Sequence, residues 1–90
     1  MKPLQVWGCT KHGRRGYTPI NSWDRQTREI VAARSRAAAA RAFGMEDRHL
    51  KDYGNVTSNA IECAVALAEP GVVFWRPLDQ YKAPWTRSTT

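Results

Sequence analysis

The sequence predicts one α+β domain with about three short strands and three helices, the helices being inserted between the second and third strands. The length of 90 residues fits a single domain, and hydrophobic residues make up 42% of the chain, sufficient for one modest core. We expect residues 1–77 to form the compact domain and residues 78–90 to be a loosely attached tail.

The first strand is predicted at residues 4–8, where Leu4 and Val6 would lie on one face and Gln5 and Trp7 on the other. Glycines and other turn residues then dominate as far as residue 24. Residues 11–24 are therefore expected to form a basic, glycine-rich loop.

Residues 28–43 have two interpretations. Their many alanines favour a continuous helix. Alternatively, residues 29–33 form the second strand, Ser35 caps a helix over residues 36–43, and Gly44 ends that helix in a left-handed conformation. We prefer the strand followed by the helix, although the sequence leaves both open.

A short helix is predicted at residues 46–53, and it ends at Gly54. The third helix begins after Asn59 and ends at Pro70-Gly71, with Glu62 placed to complete a capping box. Its predicted buried stripe is Ile61, Val65 and Ala68. The third strand is predicted at residues 72–76, which are β-branched and aromatic and are followed by Pro77.

The positive charge is concentrated in the first half of the chain. The net charge is +6. Residues 1–45 contain nine basic and two acidic residues, a net charge of +7, whereas residues 46–90 contain five and six, a net charge of −1. This asymmetry indicates an anionic partner on that side. A GC-rich genome, whose codons favour Arg and Ala, would explain part of the same bias.

Residues 36–53 resemble the helix-turn-helix of small repressors in their spacing. Ala40 provides a small residue for a close helix crossing, Gly44 provides the turn, and Leu50 and Tyr53 follow at core-facing positions. A plain helical hairpin has similar requirements. Glu46, Asp47 and Asp52 on the second helix oppose the approach of a polyanion.

If the domain binds DNA, basic residues of the loop and of the two helices would supply the phosphate contacts. The candidate nucleic-acid-binding residues are Lys11, Arg14, Arg15, Arg34, Arg36, Arg41, Arg48 and Lys51. Tryptophan and arginine are also preferred anchors of protein interfaces. The candidates of that second kind are Trp23, Arg76 and Trp85.

A wider resemblance joins several of these segments. Ile30-Val-Ala-Ala-Arg-Ser, the Gly44 turn, Tyr53, Asn59 with Glu62, and Pro70-Gly-Val-Val-Phe-Trp-Arg are together similar to small proteins encoded by phages and prophages of high-GC bacteria. The resemblance implies a genomic context, in which short proteins often regulate or inhibit host machinery.

Catalytic and metal-binding patterns are weak. Cys9 and His12 have the spacing of half a zinc site, but His49 and Cys63 do not supply a second pair. The glycines fit no phosphate-binding motif. We therefore expect no enzyme activity, no metal and no cofactor, and two free cysteine thiols.

No segment predicts a signal peptide or a membrane span, so we expect a cytoplasmic protein without a membrane partner. The leading functional prediction is a small phage-type DNA-binding protein. The alternative is a phage-encoded protein-interaction module that inhibits a host enzyme or defence complex.

Overall fold

The fold is known from a computed structural model that describes residues 3–12, 26–78 and 82–88. The strands are β1 (Gln5–His12), β2 (Gln26–Ala33), β3 (Gly54–Val56), β4 (Phe74–Pro77) and β5 (Thr86–Arg87). The helices are α1 (Arg36–Phe43) and α2 (Asp47–Tyr53), which lie between β2 and β3, and α3 (Ala60–Ala68), which lies between β3 and β4.

The five strands form one antiparallel sheet in the order β3-β1-β2-β4-β5. The α+β class and the three helices agree with the sequence prediction, but the predicted three strands with all helices between the second and third are wrong. The strand β3 separates α3 from the first two helices. It was missed because it has only three residues, two of which, Gly54 and Asn55, are of types depleted in strands.

The strand β2 resolves the open question about residues 28–33, because the whole segment is extended. It pairs with β1 along its full length, from Gln5 opposite Ala33 to His12 opposite Gln26. Buried Ile30, Val31 and Ala32 then suit a central strand, which is covered on both faces. Helix propensity is only a weak preference. In β2, which contains the β-branched residues Ile30 and Val31, the pairing with neighbouring strands outweighs it.

Two hydrophobic clusters lie on opposite faces of the sheet, and consecutive residues of β2 contribute to them alternately. Val31 and Ala33 pack with α1 and α2 on one face. Ile30 and Ala32 pack with α3 on the other. We call these the α1/α2 side and the α3 side. The molecule is therefore three layers thick, with the sheet in the middle.

The two helices predicted within residues 36–53 lie on the α1/α2 side, but Tyr53, which was predicted to face the core, is 71% exposed. The hydroxyl of Ser35 accepts a hydrogen bond of 3.1 Å from the backbone N–H of Ala38, as the capping prediction requires. Gly44 ends α1 with φ = 75°, a left-handed conformation that favours glycine. Leu50 of α2 is buried in the same cluster as Phe43 of α1. The turn therefore places the two helices in contact with each other and with the sheet.

Candidate binding surfaces

The orientation of α3 is set by a buried carboxylate. Glu62 is only 7% exposed and faces the sheet. Both of its oxygens accept 3.0 Å hydrogen bonds from Arg28 of β2, through Nε and one terminal nitrogen. The Thr57 hydroxyl donates a third, at 2.7 Å, to Oε1. A bidentate arginine and a hydroxyl therefore satisfy the carboxylate beneath the helix.

These donors also determine the ionisation of Glu62. Burial by itself raises the pKa of a carboxyl group. The hydrogen bonds from Arg28 and Thr57, with the attraction of Arg28 and Arg76, outweigh burial and lower the pKa of Glu62 below its usual value. The group is therefore a carboxylate at neutral pH and keeps its ion pair.

Gly8 makes room for this ion pair. The Arg28 guanidinium crosses β1 at Gly8, and a Cβ atom at that position would overlap its terminal nitrogens. Next to Gly8 in space, Thr57 donates its backbone N–H to the carbonyl of Val6 at 2.8 Å. The strand β1 thus provides both a gap for Arg28 and an anchor for the segment that leads into α3.

The predicted capping of α3 is confirmed only in part. The Asn59 side chain accepts a 3.0 Å hydrogen bond from the Glu62 N–H, as expected of an N-cap. The reciprocal contact is absent, because the Glu62 carboxylate binds Arg28 and the Asn59 N–H donates to the Thr57 hydroxyl instead.

The prediction of Ile61, Val65 and Ala68 as a buried stripe is wrong. With Glu62 and Ala66 facing the sheet, Ile61 is 68% exposed, Ala68 is exposed and Val65 is only half-buried. The helix is rotated relative to the predicted orientation because Glu62, the single charged residue of α3, faces inward. The partner that makes burial of Glu62 possible, Arg28, is 34 residues away in the chain.

As a result, α3 presents an entirely apolar surface to solvent. At 3.6 residues per turn, the exposed positions occupy an arc of ~120° on one side of the helix. We call this surface the α3 apolar face, and it consists of Ala60, Ile61, Ala64, Leu67 and Ala68. Ile61 is 68% and Leu67 is 45% exposed. Single exposed apolar residues are common, but a contiguous apolar helix face is typical of an interaction site.

Two of the three predicted protein-interface residues lie on the α3 side. The Arg76 guanidinium is 5.2 Å from the centroid of the Trp85 ring, a cation–π contact. Trp85 is half-buried and packs against the cluster that includes Val65 and Ala66 of α3. The third predicted residue, Trp23, lies outside the described residues.

The α1/α2 side is exposed but electrostatically mixed. Five of the predicted nucleic-acid-binding residues lie on or next to its helices, namely Arg34, Arg36, Arg41, Arg48 and Lys51. Three carboxylates accompany them. Lys11 lies in β1, where its side chain is not described, and Arg14 and Arg15 lie outside the described residues.

Two of these arginines bind neighbouring carboxylates. Arg36 donates to both oxygens of Asp47 at 2.8 and 3.2 Å, and Arg48 donates to Glu46 at 3.2 Å. The hydrogen bond from Arg36 lowers the pKa of Asp47, and the same hydrogen bond raises the pKa of Arg36. The local positive potential is therefore smaller than the sequence implied.

Arg41 differs from the other described arginines. Arg28, Arg36, Arg48 and Arg87 each bind a carboxylate, and Arg76 stacks on Trp85. Within residues 3–12, 26–78 and 82–88, the side chain of Arg41 has no hydrogen-bond or ion-pair partner. It is exposed at the C-terminal end of α1, on the wall between two surface clefts.

The remaining polar residues give no sign of metal binding. No group of three or more His, Cys, Asp or Glu side chains within the described ranges could hold a metal ion. Cys9 and Cys63 are not joined in a disulfide bond, and they pack on opposite sides of the sheet. The ring of His49 lies against that of Tyr53, with centroids 4.8 Å apart.

No protein-family model, curated protein or solved structure matches this chain. None of the helices in the described part of the chain is long and apolar enough to cross a membrane.

Proposed function

We propose that this domain is a protein-interaction module that binds an acidic partner protein through the α3 apolar face. The observation that supports this most directly is the outward arc of α3, on which every residue is apolar although the helix carries a buried carboxylate on its other side. The chain stabilises a charged group inside the molecule while leaving Ile61 and Leu67 in water. A partner that covers these two side chains would remove them from water without changing the fold.

The size of the expected gain can be estimated from exposure. Complete burial of an exposed aliphatic side chain contributes about 1.5–3 kcal/mol. Ile61 and Leu67 are 68% and 45% exposed, so a partner that covers both gains roughly 2–3 kcal/mol from them. This is a hot-spot contribution, and a complete interface needs polar contacts around it.

The net charge of the chain indicates what kind of partner it binds. The chain has a net charge of +6, so a second copy is repelled over distance and an acidic protein is attracted. Arg76 lies on the α3 side, stacked on Trp85, and can pair with a carboxylate at the edge of the interface. The complementary surface is therefore an apolar patch flanked by Asp or Glu. In a phage context, such a partner would be a host enzyme or defence complex, which the domain inhibits by occupancy and not by catalysis.

The test is a comparison of matched variants. The chain is immobilised and exposed to a nuclease-treated lysate of its host, and the retained proteins are then purified and titrated against it. Ile61→Lys places a charge on the α3 apolar face, whereas Ala37→Lys adds the same charge at an exposed position on the α1/α2 side. We expect an acidic partner whose affinity falls at least about tenfold in Ile61→Lys and is unchanged in Ala37→Lys.

Leu67→Lys provides a second variant, and circular dichroism shows whether each variant is folded. A partner that binds folded Ile61→Lys and Leu67→Lys as tightly as the native chain contradicts the proposal. Light scattering provides a further check. A native dimer that dissociates in Ile61→Lys would show that a second copy covers the face, and the acidic partner would then be wrong.

Nucleic-acid binding on the α1/α2 side is the second candidate. It is favoured by Arg41 and Lys51, which are exposed and make no ion pair with the described residues. It is opposed by the three carboxylates that share this surface. Duplex affinity in a gel shift should fall steeply with salt and weaken in Arg41→Ala and Lys51→Ala. Unchanged affinity in both variants would exclude this surface.

A further inference from the structure

The shape of the α3 apolar face limits what can cover it. On an α-helix, residues four apart form parallel rows of side chains. The central row of this face is made of alanines, and the rows on either side of it carry larger side chains. The central row is Ala60, Ala64 and Ala68, and the flanking rows are Ile61 with Val65 and Cys63 with Leu67. The face is therefore a shallow groove with raised sides, which we call the alanine groove, the Ile61 row and the Leu67 row.

The two raised sides face different edges of the sheet. The Ile61 row continues to Glu69, whose carboxylate accepts a 2.7 Å hydrogen bond from Arg87 of β5. This row therefore lies towards the edge of the sheet formed by β4 and β5. The other row lies towards β3, because the thiol of Cys63 donates at 3.6 Å to the carbonyl of Thr57, in the segment that follows β3.

A positive charge lies beside the Ile61 row. Arg76 of β4 is directly opposite Arg28 of β2 in the sheet, and Arg28 binds Glu62 beneath the first turns of α3. Arg76 also contributes to the lowered pKa of Glu62, so its guanidinium is near the same end of the helix. Ile61 precedes Glu62 in the chain and is 68% exposed. The most exposed apolar residue of the face and an arginine therefore occupy the same end of α3.

The Arg76 guanidinium is held in place but is not neutralised. Its central carbon is 5.2 Å from the centroid of the Trp85 ring, and one terminal nitrogen donates to the Pro77 carbonyl at 3.2 Å. It makes no ion pair with any residue that the structure describes. A guanidinium stacked on an aromatic ring keeps its edge available for a bidentate contact with a carboxylate. The partner should therefore carry an Asp or Glu on the side of the Ile61 row.

A helix is the element that matches a groove of this shape. In helix packing, a ridge of side chains on one helix enters a groove on the other, and the axes approach to about 8–10 Å. From Ala60 to Ala68 the groove is about 12 Å long, which accommodates about two turns of a second helix. An extended segment points successive side chains in opposite directions, so it would contact Ile61 and Leu67 and leave the groove between them largely empty.

We propose that the partner contributes an amphipathic α-helix, which places a ridge of apolar side chains in the alanine groove and an acidic side chain against Arg76. This inference rests on the proposed function, because it specifies what covers the α3 apolar face. A second copy of α3 does not fit the description, since the one charged residue within that helix, Glu62, is buried.

The probes are three synthetic peptides of about 18 residues, a length at which an isolated helix can form in part. The acidic peptide has leucine and alanine along one face and glutamate on the adjoining flank. The neutral peptide has glutamine in place of glutamate. The proline peptide is the acidic one with two central prolines, which prevent a helix. The full chain is titrated with each peptide by calorimetry, and amide chemical shifts locate the contact.

We expect the acidic peptide to bind most tightly, with chemical-shift changes at Ile61, Ala64 and Leu67. The proline peptide should bind at least about tenfold more weakly. Ala64→Leu then separates a groove from a surface that is only apolar. It keeps a good helix former at an exposed position and adds apolar area, but it fills the groove. The acidic peptide should bind at least about tenfold more weakly to folded Ala64→Leu, whereas a flat apolar contact would be as tight or tighter.

Arg76→Gln tests the acidic contact. It should weaken the acidic peptide by about fivefold or more and leave the affinity of the neutral peptide unchanged. Lys51→Gln is the matched control, because it removes one positive charge from the α1/α2 side, and it should change either affinity by less than about twofold. Equal weakening of the acidic peptide in both variants would show that binding follows the overall charge, and the contact at Arg76 would be wrong.

Undiminished binding by Ala64→Leu, equal affinity for the acidic and proline peptides, or no binding of any peptide at about 1 mM would overturn the helix. These results are distinct from a failure of the proposed function. An Ala64→Leu variant that binds as tightly as the native chain, together with a loss of binding in Ile61→Lys, overturns the helix but keeps the α3 apolar face as the binding surface. Unchanged affinity in both Ile61→Lys and Leu67→Lys overturns the proposed function itself.

Discussion

Replacement of Glu62 by Gln tests the idea that a buried ion pair sets the orientation of α3. The carboxylate accepts two hydrogen bonds from Arg28 and one from Thr57. The side chains of Arg28 and Glu62 are 20% and 10% exposed, so water replaces these contacts poorly. In Glu62→Gln, the amide NH₂ group faces a hydrogen-bond donor of Arg28 or Thr57. The Arg28 guanidinium loses its carboxylate partner while its charge stays largely buried.

Breaking a fully buried ion pair costs about 3–5 kcal/mol, and the residual exposure and the remaining amide oxygen reduce this to roughly 2–3 kcal/mol. With a urea m value of about 1–1.5 kcal/mol/M for a chain of this size, the unfolding midpoint should fall by roughly 1.3–3 M. Tryptophan fluorescence provides the signal.

Glu69→Gln is the control, since its ion pair with Arg87 is about half exposed and should contribute less than about 1 kcal/mol. A Glu62→Gln variant no less stable than Glu69→Gln would refute the reasoning.

The stability of the native chain and that of Glu62→Gln should also differ in their dependence on pH. Because folding lowers the pKa of Glu62, its contribution is complete above about pH 4.3 and is lost as pH falls from there through the lowered pKa. Glu62→Gln should therefore lose less stability on acidification.

Three further predictions concern the contact of Gly8 with Arg28 and the two ends of α1. Gly8→Ala should displace the Arg28 guanidinium and lower the urea midpoint. The same substitution should have little effect on the midpoint in a chain that already carries Glu62→Gln. Additive effects of the two substitutions would contradict the contact between Gly8 and Arg28. Gly44→Ala should cost about 1–2 kcal/mol in chemical denaturation because φ is 75°, and an unchanged stability would mean that α1 ends differently. Ser35→Ala should cost about 1 kcal/mol because it removes the cap on Ala38, whereas Ser58→Ala at an exposed loop position should cost less than about 0.5 kcal/mol.

The features that the sequence predicted correctly depend on neighbouring residues. Ser35 before an alanine-rich run, Gly44 after it and Asn59 before α3 act within a single helical turn, and all three were identified as helix boundaries. The conformation of residues 29–33 was harder to predict because alanine favours a helix. The β-branched pair Ile30-Val31 and the Ser35 cap nevertheless favoured a strand followed by a helix.

The features that were missed depend on contacts between distant segments. β5 has two residues and, within the described part of the chain, pairs with Phe74 and Trp75 alone, so its strand conformation comes from β4 and not from its own sequence. The rotation of α3 depends on Arg28, which is far away in the chain. One signal was available: Glu62 is the only charged residue between residues 53 and 68, and a helix with a single charge is ambiguous about which side faces water.

The surface features could be predicted only in part. Exposure of α2 was expected and is observed, but the pairing of Arg36 with Asp47 requires knowledge of how α1 meets α2. The cleft between Arg41 and Ser88 could not be predicted, because its walls come from three segments that are separated by about 30 and 15 residues in the sequence.

The ends of the sheet have a consequence for behaviour at high concentration. The outermost strands, β3 and β5, have three and two residues. Such short borders give an incoming chain few free backbone groups to pair with, so polymerisation through strand addition gains little. Contacts with other molecules are thereby directed to side chains, where they can be selective.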